Sequence, residues 1–364
     1  MLPEKACSTL TVGDRRIGSD EPPYVIAEIG VNHDGDIDRA LQMVRAAAQT
    51  GADAVKLQYF TADLLLGAEA ALAEYQRKAG ELSPREMLQR LELGSEAMRR
   101  VPEVAHEYGM QAIVTVFSSE LVPDAATMGW DAYKVGSADV INTPLLEALA
   151  AIGKPMIIST GAALPDEIAE SARHFGDVFL HCVSAYPTPT ESTHLAGIQA
   201  LARLCTEARQ AADSKKSGPT VVGYSDHTES ADTGALAVAA GACVLEKHLT
   251  HDRSAAGPDH AASLEPESFT QYVKQARRAW TMRGPDRVWA QPIEDAVRSA
   301  SRQSLTARHA LEVGHVLTAH DIRVCRPGTG LPPGMLHEII GHCITSPIQA
   351  GHAIRQTDID WAEE

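Results

Sequence analysis

The chain has 364 residues, of which 44% are hydrophobic and 22% charged, proportions that are typical of a folded protein and exclude a disordered one. Its 48 acidic and 32 basic residues give a net charge of −16, which argues against a protein that binds nucleic acid or an anionic membrane. The length predicts two domains, or one large barrel with an appended module.

Neither a targeting segment nor a disulfide framework is expected. The stretch before residue 24 is polar, and no apolar run reaches the roughly 18–20 residues that a transmembrane helix needs. The chain is therefore predicted to be cytoplasmic, without a membrane partner. Widely spaced cysteines without a CxxC pair are interpreted as reduced thiols, most of them core filler: Cys7, Cys182, Cys205, Cys243, Cys325 and Cys343.

Short apolar runs recur from residue 24 onward and alternate with amphipathic stretches. Such runs are typical of parallel strands buried on both faces, and their alternation with helices predicts right-handed crossovers. Eight units of this kind predict a (β/α)8 TIM barrel; a doubly wound open sheet is the alternative, although no GxGxxG follows the first run. The runs span residues 24–29, 54–58, 112–116, 133–135, 156–159, 178–182, 220–223 and 243–247.

Helix boundary signals support this division. Asp36 precedes an amphipathic stretch that ends at Gly51, a residue favoured just after a helix. Ser83, Pro84 and Glu86 form the pattern of a capping box with proline at the first helical position. Further helices are predicted at residues 143–152, 232–240 and 265–283.

The composition changes after residue 283. Residues 284–303 are charged and contain proline, which predicts a linker. Residues 304–364 carry short mixed runs with a weak internal echo between ALEVGHVLTAHDI and PIQAGHAIRQTDI. We expect a small all-β or α+β module with a thin core that leans on the barrel or on a second subunit. The barrel domain would span residues 1–283, with its core from about residue 24.

Polar residues at the carboxyl ends of the strands predict a catalytic site, because a TIM barrel works at that face. Lys56 and Lys134 face inward among serine and threonine hydroxyls and glycine-containing turns, a combination that suits a small dianionic substrate. Lys134 is alternatively a Schiff-base lysine.

Two histidines end consecutive strands. His227 and His248 can approach one point, and two imidazoles with a water or acidic ligand suit Mn, Fe, Co or Zn. His251 and His260, in the following loop, are possible substitutes. Glu28 is a candidate general base or a structural partner of Lys56.

Motifs in the order of a known family extend over nearly the whole chain. The sequence resembles the sialic acid (N-acetylneuraminate) synthase family, which includes legionaminic and pseudaminic acid synthases. The resemblance rests on AEIGVNHDG, KLQ, VFS, KVGSADVINTPLL, ISTGA, HCVSAYPTP, GYSDHT, LEKHLT, GPDHAASLEP and RPGTGL.

This resemblance implies a barrel followed by an antifreeze-like (SAF) domain, in a domain-swapped homodimer whose Arg326 reaches the partner's active site. The implied reaction condenses phosphoenolpyruvate with an open-chain N-acetylated hexosamine and yields a nine-carbon 2-keto-3-deoxy sugar acid and phosphate. It depends on a divalent metal, with Mn expected and Mg, Co or Fe possible, and proceeds with C–O cleavage.

The family's functional positions map onto this sequence residue by residue. Glu28 corresponds to the carboxylate of the acid/base chemistry, and His227 and His248 to the metal ligands. The resemblance implies that the phosphate of phosphoenolpyruvate is contacted by Lys56, Ser159, Ser184 and Ser225, and its carboxylate by Thr115, Lys134 and Ser137. Sugar contacts are implied for Gln58, Asp139, Tyr186, Asp259 and Arg326.

Two departures from the family pattern leave the acceptor open between N-acetylmannosamine and a 2,4-diacetamido-trideoxyhexose. Asp139 stands where the family commonly has Glu, and Val116 where it has Pro. These positions and the loop at residues 64–75 are the candidate specificity determinants. A non-enzymatic carbohydrate- or ice-binding role of the C-terminal module is a further alternative.

Overall fold

The computed structural model describes residues 9–217, 220–285 and 287–361, so that Cys7 lies outside the described residues. The chain divides into two units, Met1–Pro285 and Asp286–Glu364. None of the helices in the described ranges combines the length and apolar character that a membrane-spanning helix requires.

Eight parallel strands of the first unit close into a barrel, which confirms the predicted TIM barrel and excludes the open doubly wound sheet. Each strand pairs with its neighbours in sequence, and the last closes on the first. A short hairpin of β1 (Leu10–Val12) and β2 (Arg15–Ile17) precedes them. The barrel strands are β3 (Tyr24–Glu28), β4 (Ala54–Tyr59), β5 (Gln111–Val116), β6 (Ala132–Val135), β7 (Met156–Ser159), β8 (Val178–Cys182), β9 (Val221–Asp226) and β10 (Val244–His248).

Helices fill the connections between the barrel strands. They are α1 (Ile37–Thr50), α2 (Ala62–Leu65), α3 (Glu74–Lys78), α4 (Pro84–Leu91), α5 (Ser95–Glu107), α6 (Val122–Ala125), α7 (Thr143–Ala150), α8 (Pro165–His174), α9 (Gly197–Arg209), α10 (Thr233–Ala239) and α11 (Pro266–Arg283).

The predicted helix ends agree with the observed caps. The Asp36 side chain accepts hydrogen bonds from the backbone N–H groups of Asp38 and Arg39 at the start of α1. Gly51 ends that helix with a φ of 83°, a left-handed conformation that glycine adopts without steric cost. The Ser83 hydroxyl accepts from the N–H of Glu86 and caps α4.

The β1–β2 hairpin packs at the amino-terminal end of the barrel and was not predicted. Val12 and Ile17 are fully buried and share a hydrophobic cluster with Tyr24, Ile26 and other residues of the barrel strands. The barrel floor is therefore filled by apolar side chains, and the carboxyl ends of the strands are left to carry polar ones.

The second unit is small and largely irregular. It contains α12 (Asp295–Ser301), β11 (Ser304–Ala307), β12 (Ile322–Cys325) and α13 (Leu336–Ile339). The two strands pair antiparallel, and isolated bridges join other segments around a compact apolar cluster. The segment predicted as a linker thus contains a helix, although every described residue from 287 to 303 is exposed.

Candidate active site

A cavity of about 420 Å³ lies at the carboxyl ends of the barrel strands, a volume typical of a small-molecule site. It brings together the residues that the sequence predicted for the barrel, with the exception of Glu28, which lies just behind the wall. The cavity is lined by Lys56, Gln58, Thr115, Lys134, Ser137, Asp139, Ser159, Ser184, Tyr186, Ser225, His227, His248 and Asp259, and also by Cys182 and Glu246.

The alternation of side chains along each strand explains which residues face the cavity. Successive residues of a strand point to opposite faces, so that Glu246 and His248 point inward while Lys247 between them points outward. The same pattern on β9 and the residue after it turns Ser225 and His227 inward.

Lys56 lies between two buried carboxylates. Its Nζ is 2.5 Å from Glu28 Oε2 and 3.8 Å from Glu246 Oε1, and it donates a hydrogen bond of 3.1 Å to Thr115 Oγ1. Burial lowers the pKa of Lys56, but the charges of Glu246 and Glu28 more than offset this, so that the pKa is raised. Lys56 is therefore a fixed positive charge in the cavity wall.

Lys134 occupies a neighbouring position with fewer ionic partners. Its Nζ donates to Ser159 Oγ at 2.7 Å and to the Val135 carbonyl at 2.9 Å, and a Glu246 oxygen lies 3.9 Å away. Burial lowers the pKa of Lys134 below its ordinary value, and Glu246 compensates only in part. An anionic substrate group beside this lysine would restore the missing counter-charge.

Glu28 is placed to exchange a proton. It is fully buried, accepts a hydrogen bond of 3.0 Å from Gln58 Nε2, and its pKa is raised chiefly by burial despite the nearby Lys56. A carboxyl group with a raised pKa is suited to acid/base work near neutral pH. Gly30 makes room for it, since a Cβ atom there would lie 1.7 Å from Glu28 Oε1.

Glu246 is a site residue to which the sequence reasoning gave no role. Its Oε1 accepts from Ser225 Oγ at 3.1 Å, while Oε2 has no hydrogen-bond partner among the described residues. Burial raises its pKa, but Lys134 and Lys56 outweigh burial and the pKa is lowered, so that Glu246 is ionised. The signal that could have found it is its position two residues before His248 on the same strand face.

His227 and His248 lie side by side, with ring centroids 5.5 Å apart. The Nδ1 of His227 is 3.0 Å from the Val183 carbonyl oxygen, so Nδ1 carries a proton there, and Nε2 is the nitrogen that remains for a metal ion when the ring is neutral. Burial and the neighbouring His227 lower the pKa of His248 well below its ordinary value, and its Nδ1 has no hydrogen-bond partner in the described residues.

This pair fits a divalent metal ion whose remaining ligands are water or substrate. Metal ligation requires neutral imidazoles. The lowered pKa of His248 meets this requirement, whereas burial of His227 is outweighed by Cys182 and the Val183 carbonyl, which raise its pKa, so a metal ion would displace a proton from His227. No group of three or more His, Cys, Asp or Glu side chains within the described ranges is arranged to hold a metal on its own. The substitute ligand His260 is instead 3.1 Å from Asp34 and 2.7 Å from Thr250, and His251 packs against it outside the cavity.

Asp259 lies across from the histidine pair. Its Oδ2 is 3.6 Å from His248 Nδ1, and burial, followed by the charge of Glu28, raises its pKa to about 6. The Tyr186 ring packs on His227 with a centroid distance of 4.0 Å. Asp259, Tyr186 and Gln58 border the space beside His227 and His248.

Hydroxyl groups of the same cavity cluster near Lys134, among them those of Ser137, Ser159 and Ser184. Ser137 Oγ accepts a hydrogen bond of 3.0 Å from the Gly161 N–H. A Cβ atom at Gly161 would lie 2.3 Å from Ser184 Oγ and 3.0 Å from Ser137 Oγ, so glycine is needed for these two hydroxyls to pack against the backbone there. Asp139 accepts from Asn142 Nδ2 at 3.0 Å, and burial raises its pKa.

Two expectations about individual residues are corrected or narrowed by the structure. Cys182 was interpreted as core filler, but it lines the cavity and its Sγ is 3.8 Å from His227 Nδ1. Val116 was considered either as a specificity determinant or as a change of backbone geometry only; it is fully buried in the core behind the strands and does not line the cavity, which favours the second interpretation. Arg326 is exposed after β12 in the second unit.

Buried His33, in the loop after β3, allows a test of electrostatics near the site. The residue is 1% exposed, its Nδ1 accepts from the Gly35 N–H at 3.1 Å, and burial lowers its pKa to about 4. Between about pH 6.5 and pH 4 the unfolded chain binds a proton that the folded chain does not, so stability falls as the pH falls. An asparagine can keep the acceptor without titrating.

We therefore expect the free energy of unfolding of the wild type, relative to His33→Asn, to fall by about 3 kcal/mol when the pH is lowered from 7.5 to 4. Denaturant titrations of both proteins across this range measure the difference. A difference that does not change with pH would contradict the assignment of a neutral, buried His33.

Comparisons with known proteins agree with this geometry. A model of the NeuB family matches residues 43–287, and a model of the SAF domain matches residues 302–360. An N,N'-diacetyllegionaminic acid synthase of Legionella pneumophila is 36% identical over 346 residues, which cover 92% of this chain and 94% of the relative. The human N-acetylneuraminate-9-phosphate synthase is 29% identical over 95% of both chains.

A solved structure gives the same result. The N-acetylneuraminic acid (sialic acid) synthetase of Leptospira borgpetersenii superposes with a TM-score of 0.68 at 29% identity, covering 80% of this chain and 95% of that one. The relatives are named as synthases, which confirms the prediction of an enzyme over a purely carbohydrate-binding module. The chain therefore belongs to the NeuB family, the family of the sialic acid synthases that its sequence resembles, and its C-terminal part is a SAF domain.

Proposed function

We propose that this protein is a nonulosonic acid synthase that condenses phosphoenolpyruvate with an open-chain N-acylated hexosamine to give a 2-keto-3-deoxy nine-carbon sugar acid and phosphate. The observation that carries the proposal is the pair of buried lysines, Lys56 and Lys134, in one cavity with carboxylates and hydroxyls. In a chain of net charge −16, two buried lysines in the same cavity suit a small dianionic substrate.

The hydroxyl groups beside Lys134 suit the anionic groups of phosphoenolpyruvate. Lys134 already donates to Ser159, and the absence of a side chain at Gly161 lets Ser137 and Ser184 come close to its backbone. Lys56 and Lys134 would bind the phosphate and the carboxylate, assisted by Ser159, Ser184 and Ser225 for the former and by Thr115 and Ser137 for the latter. Held at both ends, the enol carbon C3 is oriented toward the acceptor.

His227 and His248 would hold the divalent ion, with Mn as the expected metal. Bound there, the ion supplies Lewis-acid polarisation of the acceptor aldehyde. Tyr186 orients one of the ligands, because its ring packs on His227. Gln58, Asp139 and Asp259 would bind the sugar hydroxyl and amide groups.

The proposed reaction balances with these groups. C3 of phosphoenolpyruvate forms a bond to the aldehyde carbon, and the aldehyde oxygen takes up the proton that Glu28 holds. The positive charge that develops at C2 lies among the carboxylates of Glu28 and Glu246. Water then adds to C2 and one of its protons passes to Glu28. When the C2–O bond breaks, the new C2 hydroxyl passes its proton to the departing phosphate, which leaves with its bridging oxygen, and C2 becomes the ketone.

A Schiff-base aldolase or lyase that uses Lys134 is the second candidate function, because the lowered pKa of Lys134 is what a nucleophilic lysine requires. Borohydride added during turnover distinguishes the two. A covalent substrate adduct on Lys134, found by mass spectrometry, would support the aldolase and contradict the synthase. The synthase mechanism predicts unmodified Lys134.

One side of the cavity supports a choice between the two candidate acceptors. Phe60 and Met87 are almost fully buried and border the cavity together with Leu65 and Leu88, so that α2 and α4 present an apolar wall to it. A methyl group packed on such a wall gains about 0.8 kcal/mol, whereas a hydroxyl there loses its hydrogen bonds to water. We therefore favour a 2,4-diacetamido-trideoxyhexose, which ends in a methyl group, over N-acetylmannosamine.

A single substitution in this wall is expected to weaken binding of the acceptor and not that of phosphoenolpyruvate. Leu65→Asn should raise the KM for the deoxy acceptor about tenfold and leave the KM for phosphoenolpyruvate unchanged. Steady-state kinetics with each substrate varied in turn measure both constants. Leu82→Asn is the matched control, because Leu82 is 93% exposed and does not line the cavity; equal effects of the two variants would contradict the apolar acceptor subsite.

The exposed segment before the second unit's core supports a homodimer with exchanged SAF domains. Val288, Ile293 and Val297 are more than half exposed, and Trp289 is 40% exposed. Apolar side chains grouped in this way mark a contact surface, for which a second copy of this chain is the occupant we propose. Arg326 of one protomer would then contact the sugar in the partner's barrel.

An acceptor panel tests the proposal as a whole. Phosphoenolpyruvate is incubated with N-acetylmannosamine, its 6-phosphate and a 2,4-diacetamido-trideoxyhexose, and phosphate release is followed with and without a chelator. We expect release that requires both an acceptor and the metal, and that is fastest with the trideoxy sugar. Release without any acceptor would contradict the synthase.

A further inference from the structure

A buried ion pair lies directly behind the two histidines, on the outer face of β9 and β10. Asp226 and Lys247 are both fully buried, and Lys247 Nζ is 3.2 Å from Asp226 Oδ1. The two residues are opposite each other in the register of the strands. Each therefore immediately precedes one of the inward-facing histidines, His227 and His248.

The ion pair also fixes the residue that follows His227. Asp226 Oδ1 accepts hydrogen bonds from Thr228 N at 2.8 Å and from Thr228 Oγ1 at 2.7 Å. Lys247 Nζ donates to the carbonyl oxygen of Thr228. The backbone on both sides of His227 is thus tied to one carboxylate, and through Lys247 to the strand that carries His248.

The surroundings of the pair hold it rigidly. Tyr272 on α11 is fully buried and places its ring 5.8 Å from Lys247 Nζ, and Thr233 on α10 lies 3.0 Å from Thr228 Oγ1. Stability alone does not account for charges at this place, because apolar residues of similar volume usually replace a buried ion pair without loss of stability.

We propose that Asp226 and Lys247 are positioning residues, which set the separation and orientation of His227 and His248 for a shared divalent ion. The ion pair connects β9 to β10 one residue before the two histidines. It therefore fixes the register of the two strands directly beside the backbone of His227 and His248. This inference rests on the proposed function only in assigning the two histidines to a metal.

The test measures Mn²⁺ binding to substrate-free protein by electron paramagnetic resonance, with thermal unfolding in parallel. Asp226→Asn, which keeps the side-chain shape, is expected to weaken Mn²⁺ binding by about tenfold or more, the usual effect of losing a group that orients a metal ligand. The double variant Asp226→Leu/Lys247→Met should unfold near the wild-type temperature and still bind Mn²⁺ weakly.

Lys216→Met is the matched control, because it breaks an ion pair of 2.8 Å with Asp177 at the amino-terminal end of β8, remote from the histidines. It should leave Mn²⁺ binding unchanged. Wild-type affinity in Asp226→Asn, or recovery of both stability and affinity in the double variant, would overturn the positioning role. Failure of the wild type itself to bind Mn²⁺ would overturn the metal assignment as well; if the double variant does not fold, Asp226→Asn alone decides.

Discussion

Lys56→Met should lower kcat/KM for phosphoenolpyruvate by about 100- to 1000-fold, the usual effect of removing one preorganised electrostatic contact. The Lys56 ammonium is the cation between Glu28 and Glu246, at 2.5 and 3.8 Å. Its loss removes the partner of a substrate anion and leaves two carboxylates facing each other in a buried site. Phosphate release at varied phosphoenolpyruvate concentration measures the change.

The control for Lys56→Met is again Lys216→Met, which removes a lysine from an ion pair outside the cavity. It should keep wild-type kcat/KM. Thermal unfolding of both variants separates lost binding from lost folding. Near-normal turnover by a folded Lys56→Met variant would show that this lysine does not bind the substrate.

His248→Ala is expected to lose at least about 100-fold in metal-activated phosphate release and to bind no tightly held Mn²⁺. Among the described residues the candidate ligands are the two histidines, with ring centroids 5.5 Å apart, so removal of one leaves a single protein ligand. The measurement is phosphate release as a function of Mn²⁺ concentration, together with metal content after dialysis.

The nearby His251 provides the control for His248→Ala. His251 packs against His260 at 5.4 Å and does not line the cavity. His251→Ala should therefore retain the wild-type Mn²⁺ dependence. If His251→Ala lost metal activation and His248→Ala did not, the metal would have to lie in the loop after β10.

The barrel was predictable because its strands are buried on both faces and read as continuous apolar runs. The prediction fell short where polar residues continue a strand: β9 was expected to end at residue 223 and instead reaches Asp226. There Ser225 faces the cavity and Asp226 is neutralised by Lys247, so hydropathy alone signals an end too early. The β1–β2 hairpin was missed because its strands have three residues each.

The site was predictable where one strand end carries an unusual residue type, as for Lys56, Lys134 and the two histidines. Glu246 received no role because a glutamate beside a lysine in sequence resembles an ordinary surface pair, and only strand alternation separates their faces. The apolar wall could not be read from the sequence, because Phe60 and Met87 meet only through the fold.

Phosphoenolpyruvate labelled with ¹⁸O at its bridging oxygen shows whether phosphate release follows condensation with C–O cleavage. The labelled substrate is incubated with the acceptor sugar, the metal and the enzyme, and the released phosphate is analysed by mass spectrometry. Condensation with C–O cleavage predicts that the phosphate carries the label and forms only in the presence of the acceptor. Unlabelled phosphate would indicate P–O cleavage. Either that result or labelled phosphate formed without an acceptor would contradict the proposed condensation.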